Sequence, residues 1–300
     1  DISMTALTGS GREGHRGGMV KSFPHPTLGS VKLGRRQPRV SCPHLHLRNY
    51  MLRHLAPPPV EVDYSPAAID ALHNMALNDM LGDCVIAWMA HCEAVLTGAS
   101  NGTPKMLSND QIIATYSAVG GYVPGDDSTD QGCDELTALN YWRHVGLPQG
   151  SEIAGYISVD ATDWVEVQTA LWLFGNLMMG IGLPDEWVTT QMPHSDRFIW
   201  DFAGDPDPKN GHCPGAMGYS PAGVKTSTWG MLGTITPRAL AAYATAAAGG
   251  SLYTVLSPDW FNRVTAKAPN GFDVTQLSAD LQAIAPSPGP QVYNVPNSRP

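Results

Sequence analysis

The chain has 300 residues, 43 % hydrophobic and 15 % charged, which is enough apolar material for a packed core and excludes a disordered or collagen-like polypeptide. Five cysteines without paired spacing argue against a secreted disulfide framework and leave at least one thiol free, so a reducing compartment is expected. The net charge of −9 is unevenly placed: residues 1–57 carry nine Lys/Arg against two acids, and the remainder carries nine against 25.

A basic, Gly/Pro-rich arm thus precedes an acidic body. Electrostatics would lay the arm across that body or across a neighbouring copy, so self-association or assembly through the arm is one expectation. Nucleic acid is disfavoured as its partner, because the arm lacks interleaved aromatics and the body would repel phosphate. No signal-peptide core and no apolar run of about 18 residues is found, so the reading is cytoplasmic or virion-associated, without a membrane. Cys42, His44 and His46 lack a fourth ligand and the spacing of a structural zinc site, and no metal or cofactor is expected.

The arm is expected to end at 57, where Pro57–Pro59 forbid helix, and the body to run from 58 to 285. The segment NDMLGDCVIAWMAH (78–91) delivers Cys84 to the start of a helix whose apolar positions recur at three and four, giving an amphipathic helix of about four turns stopped by Gly98. A thiol at a helix N-terminus is biased toward thiolate. Residues 107–119 predict a helix capped by Ser108 with Gln111 three positions on. The acidic loop GDDSTDQG lacks the glycine a calcium loop needs and reads as solvated. Helices are expected over 133–147 and 164–176, then a short buried strand in LMMGIGLP. From 198 onward short strands and turns dominate, followed by helical patterns in RALAAYATAAAGG and at 272–285, and an irregular tail at 286–300. Helices first and strands later give an α+β class, with a helical lobe over about 65–150 and a strand-rich lobe over about 151–256. The tryptophans read as core.

A thiol nucleophile needs a base, and His212 in NGHCPGAMGYS is the candidate. Here the ordered motifs resemble the papain-like cysteine peptidases, collinearly over about residues 61–230. VDY (62–64) is similar to the family's Val-Asp-Trp, Gly82 and Cys84 to its Gly-x-Cys, and LSNDQ (107–111) to its Leu-Ser-Glu-Gln. QGCDE (131–135) resembles Gly-Cys-x-Gly-Gly, and QTALWLFGNLMMGIGL the helix and strand before the catalytic histidine. His212 with Gly218-Tyr219, and Ser227-Thr228-Trp229-Gly230 in place of Asn-Ser-Trp-Gly, complete the series. A group of bacterial and phage-encoded papain-like proteins also shares GDC and TWG with it.

The resemblance implies a papain-like two-lobe fold plus the extended N-terminal arm, and a thiol hydrolase acting on a peptide or amide substrate. Cys84 would be the nucleophile and His212 the base. Ser227 would orient the imidazole under a Trp229 lid, and Asn78 would help hold the oxyanion. Several departures weaken it. Asn78 is one methylene shorter than the family's glutamine, Ser227 replaces asparagine, and Leu81 removes a disulfide partner of Cys133. Pro214 breaks the strand after His212, and Asp83 beside Cys84 would raise the thiol's pKa. The alternative is therefore a catalytically weak or inactive papain-like fold serving as a virion-associated or otherwise assembled structural protein. The arm would then be an assembly arm, where in the enzyme it would be a prosegment.

Overall fold

The computed structural model describes residues 20–37, 45–258, 260 and 271–283. Its helices end where local chemistry ends them. After the short α1 (Ile69–Leu72), α2 runs Cys84–Asn101, three residues beyond the predicted stop. Gly98 does not terminate α2, because its missing side chain makes room for the Ala67 carbonyl, 2.2 Å from where a Cβ would stand. Gly102, at φ +76°, is the true stop and donates its N–H to the Gly98 carbonyl. Nor is α2 amphipathic: Val85, Trp88, Met89, Cys92, Val95 and Leu96 are buried, and so are His91 and Glu93 on other faces. Such a helix lies inside a core rather than on one.

α3 (Asn109–Gly120) carries the predicted capping box, with Ser108 accepting from the Gln111 N–H and Gln111 reaching back. α4 is Glu135–His144, shorter than predicted, because Asp134 takes the N-cap by accepting from the Thr137 N–H and leaves Cys133 extended. α5 (Trp164–Phe174) starts at the Asp163 cap and stops at Gly175, and α6 (Pro237–Tyr243) starts at Thr236. α7 is Val274–Ala283.

The strands divide unevenly. β1 (Lys21–His25) and β2 (Gly29–Leu33) form a hairpin of their own. The large sheet comprises β3 (Leu45–His46), β4 (Val62–Asp63), β5 (Gly155–Ser158), β6 (Leu177–Gly182), β7 (Phe198–Trp200), β8 (Gly211–His212), β9 (Gly215–Ser220), β10 (Gly223–Thr228), β11 (Met231–Ile235) and β12 (Ser251–Leu256). Its order is β3-β5-β12-β6-β9-β10-β11-β7, with β4 on β9 and β8 on β6. The class is α+β, in a helical lobe and a strand-rich lobe with α2 between them. Trp88 of α2 sits edge-on to Trp142 of α4 and donates its indole N–H to the Leu177 carbonyl of β6, joining the two lobes.

The packed body begins before the predicted boundary at 57. β3 adds to β5 in parallel, and Leu47 and Tyr50 are buried in the main core, because the 3-10 turn Leu47–Tyr50 puts these two residues, three apart, on one side. The rest of the predicted arm, at residues 20–37, is also structured.

Asn176, in the turn between α5 and β6, completes the sheet where the β6–β12 ladder ends. Its amide donates to the Phe174 and Val255 carbonyls at 2.8 and 2.9 Å, and its oxygen accepts from the Val255 N–H at 2.9 Å. Asn176→Ala orphans both backbone groups of Val255 in the core. Urea denaturation is expected to show a loss of about 2–4 kcal/mol, several times that of an exposed asparagine.

Candidate active site

The turn that delivers Cys84 is held from below by Asp130. That carboxylate accepts from the Gly82 N–H at 3.0 Å and from the Tyr116 hydroxyl at 2.6 Å, and the same hydroxyl accepts from the Gly132 N–H. Cys84 is the first residue of α2, as the sequence predicts, so its own N–H has no acceptor within the helix. Cys84, Cys92, Cys133 and Cys213 are all free and buried, and Cys42 lies outside the described residues.

His212 stands on β8, paired with Ile181 of β6, and Pro214 separates this short strand from β9. Its Nε2 meets the Thr228 hydroxyl at 2.7 Å, its Nδ1 has no partner, and Trp229 stacks on the ring at 4.6 Å between centroids. Trp229 (φ +49°) and Gly230 (φ +69°) form the two-residue turn between β10 and β11, both in the left-handed region that a primed hairpin turn demands. Glycine there is ordinary. Tryptophan accepts the strain, and its indole roofs the imidazole.

The residue expected to orient His212 is displaced by one. Ser227 donates its hydroxyl to the Leu72 carbonyl at 3.3 Å, while Thr228 takes the imidazole. Successive strand residues face opposite sides, so only one of the two can meet the ring. Asn78 also departs from its expected role. Its amide is spent on the Leu81 carbonyl at 3.1 Å and Asp83 Oδ1 at 3.3 Å, which leaves no donor for an oxyanion in this arrangement.

Cys84, His212, Asn78, Ser227, Thr228 and Trp229 line one narrow cavity, with Trp88 and His91 completing its wall. No hydrogen bond joins the Cys84 thiol to His212, whose Nδ1 is unpaired. Burial dominates the electrostatics. It pushes the Cys84 thiol up to about 12, with Asp83 adding repulsion and the backbone N–H groups of Gly34 and Cys213 opposing. It drives His212 down to about 3 and His91 down to about 4. Burial pushes the carboxyl of Asp83, whose Oδ2 is unpartnered, well above its ordinary value, with the Asn78 amide opposing. The thiol and the imidazole that line this cavity are thus both neutral near pH 7.

Residues 20–37 cause that burial. They lie against the body of their own chain and close the cleft over Cys84. The Lys32 N–H donates to the Asn78 carbonyl, the Cys133 N–H to the Gly34 carbonyl, the Arg36 N–H to the Cys133 carbonyl and the Arg35 N–H to the Gly211 carbonyl, all at 3.0–3.1 Å. Three glycines interlock at the centre. A Cβ on Gly34 would lie 1.7 Å from the Gly82 carbonyl oxygen, and one on Gly132 would lie 1.8 Å from the Gly34 oxygen. The basic side chains meet acids of the body: Lys21 with Asp207, Lys32 with Asp130, and Arg35 with Glu135. Gly34, Arg35, Glu135 and Thr228 are the functional candidates that motif reading passed over. Arg35 appears in sequence only as one charge in a basic run.

Other candidates have structural duties. Cys42 and His44 lie outside the described residues, and His46 Nδ1 is engaged with the Ser158 hydroxyl at 2.6 Å. No metal-binding group of three or more side chains occurs among the described residues. Asp126 in the acidic loop is spent on the N–H and hydroxyl of Ser128. Among the described residues no helix is long and apolar enough to cross a membrane.

The two buried histidines set an acid limit on stability. Their folded pKa values lie below the unfolded value near 6.5, so the stability they contribute is full above about pH 6.5 and is lost as pH falls toward 4 and 3. Asp83 and Glu135, raised by burial, contribute with the opposite sign. Urea unfolding between pH 6.5 and 4 is therefore expected to separate them by mutation: His91→Gln or His212→Gln should each remove up to about 1.4 kcal/mol per pH unit from the acid-side slope. An unchanged slope in both variants would mean that neither imidazole is buried neutral.

No family model matches the chain, and no curated protein matches it. Solved structures do. Xylellain, a cysteine protease from Xylella fastidiosa, superimposes with a TM-score of 0.57 at 13 % identity, over 75 % of this chain and 96 % of the other. A structure from work on the mite allergens Blo t 1 and Der p 1 gives a TM-score of 0.50 at 12 % identity, over 74 % and 75 % of the two chains. With Cys84 opening the central helix and His212 on the facing sheet, the fold is that of the papain-like cysteine proteases.

Proposed function

We propose that the chain is a papain-like thiol hydrolase, acting on a peptide or amide bond and kept latent by its own residues 20–37. The observation that carries this reading is the imidazole of His212. It is fully buried, anchored through Nε2 to Thr228 and roofed by Trp229, yet its Nδ1 is left without a partner on a cavity whose wall includes Cys84. Most buried polar side-chain atoms are paired, so an unpartnered imidazole nitrogen at a cavity shared with a thiol calls for an explanation. Cys84 gives its proton to Nδ1, and the thiolate attacks the carbonyl carbon. The C–N bond breaks as the imidazolium returns that proton to the leaving amine. Water, deprotonated by the same nitrogen, then cleaves the thioester and releases the acid and the thiol. The Cys84 N–H serves the oxyanion, and Asn78 joins it once its amide turns from Leu81 and Asp83. Thr228 is the positioning residue, in the role the sequence assigned to Ser227.

The spent amide of Asn78 and the carboxyl of Asp83 favour a second reading, a retired fold that the arm seals permanently and that serves as a structural protein. One substitution separates the two. Gly34→Ala places a methyl against the Gly82 carbonyl and should lift the arm from the cleft without removing it. Exposed to water and to Nδ1, Cys84 should then be alkylated by iodoacetamide at pH 6 at least tenfold faster than in the unmodified chain, and peptide-amide hydrolysis should appear. Both gains should vanish in Gly34→Ala/His212→Ala. Faster labelling that ignores His212, without hydrolysis, would leave the retired fold.

A further inference from the structure

The cavity that holds Arg35 lies beside the thiol and takes no part in the chemistry above. Arg35 and Glu135 form an ion pair with both side chains wholly buried, Nε to Oε2 at 3.0 Å. The guanidinium is read on every side: Nη1 donates to the Gly249 carbonyl at 2.8 Å and Nη2 to the Ser251 hydroxyl at 3.2 Å. Ser251 in turn donates to Glu135 at 2.8 Å, fixing the carboxylate. The floor is Gly180, where a Cβ would lie 2.4 Å from Arg35 Nε and 2.0 Å from Glu135 Oε1. The backbone of Arg35 is seated as well, its N–H on the Gly211 carbonyl next to His212, while its neighbour Gly34 faces the Cys84 sulfur.

We propose that this cavity is the specificity pocket of the opened site, and that it selects an arginine side chain in a bound peptide, with Glu135 as the recognising carboxylate. The inference deepens the hydrolase reading and rests on it for what happens to the peptide, but the preference is readable without turnover. When the arm withdraws, Glu135 loses its counter-charge and keeps Ser251 as its side-chain donor, and a carboxylate seated at the bottom of a pocket without a counter-charge is costly. Three acceptors spread around a planar fork suit a guanidinium. A lysine ammonium is a single point that cannot reach all of them, and an apolar side chain strands Glu135.

Arg35→Ala in the full chain empties the pocket, and Arg35→Ser is the second variant should the first not fold. Methylguanidinium is expected to raise Tm saturably, by about 2–4 °C at ten times its Kd, in either variant, and to leave the unmodified chain unchanged. Glu135→Gln added to either variant should abolish the response. N-acetyl-arginine amide should slow iodoacetamide labelling of Cys84 in the same variants at least fivefold more than N-acetyl-lysine amide or N-acetyl-leucine amide. Absence of a methylguanidinium response in both variants, or equal protection by all three amides, would overturn the pocket. Hydrolysis without preference for arginyl over leucyl peptide amides would overturn it too, leaving the hydrolase. Guanidinium selectivity with no hydrolysis would uphold the pocket and remove the hydrolase.

Discussion

The close approach of three glycine backbones, at 34, 82 and 132, governs the ionisation state of the whole site. Only without Cβ atoms can the arm come near enough for its Gly34 N–H to face the Cys84 sulfur and for its carbonyl to accept from Cys133. Water is excluded as a result, and desolvation then overrides the helix dipole that would otherwise favour thiolate. The same exclusion drives His212 down and Asp83 up from their ordinary values. On the proposed hydrolase reading, the thiol and the imidazole are kept neutral by geometry at this one contact.

The Arg35–Glu135 pair adds something other than stability. Bringing two charges out of water costs several kcal/mol per ion, which their attraction repays only when every hydrogen-bonding position is filled. Here Glu135, the Gly249 carbonyl and the Ser251 hydroxyl give each guanidinium nitrogen one acceptor, which offsets part of that cost. A register shift of one residue would put Gly34 or Arg36 at the pocket and strand Glu135. The pair thus fixes which residue of the arm lies over the thiol, and the glycine interlock depends on that register.

Where chemistry is local, the sequence was readable. The cysteine at a helix start, the Ser108–Gln111 capping box and the His212 segment all follow from neighbours within a few residues. Three features were not legible because each depends on distant backbone. Gly98 resembles a helix stop until the Ala67 carbonyl is brought against it. Ser227 matches a motif position by alignment, but the pairing of β10 between β9 and β11 decides which face each residue takes, and it turns Thr228 to the imidazole. Charge left open whether the arm would lie on its own body or on a neighbouring copy. Its register was not legible, since it is set by glycines far apart in the chain whose spacing carries no local signal.

Charge and shape divide the holding of the arm between them. The outer contact, Lys21 with Asp207, leaves its lysine partly exposed at 37 %, and a pair of this kind contributes roughly 0–1 kcal/mol and weakens with salt. The inner contacts at Gly34 and Arg35 are dry and directional, so salt screens them little. Raising ionic strength therefore loosens the Lys21 end of the arm before its centre. The thiol stays buried for as long as the glycine contact and the guanidinium fork persist. The basic composition of the arm brings it to the acidic body, but closure of the site is the work of the one uncharged residue at its centre, Gly34, and the one fully buried charge beside it, Arg35.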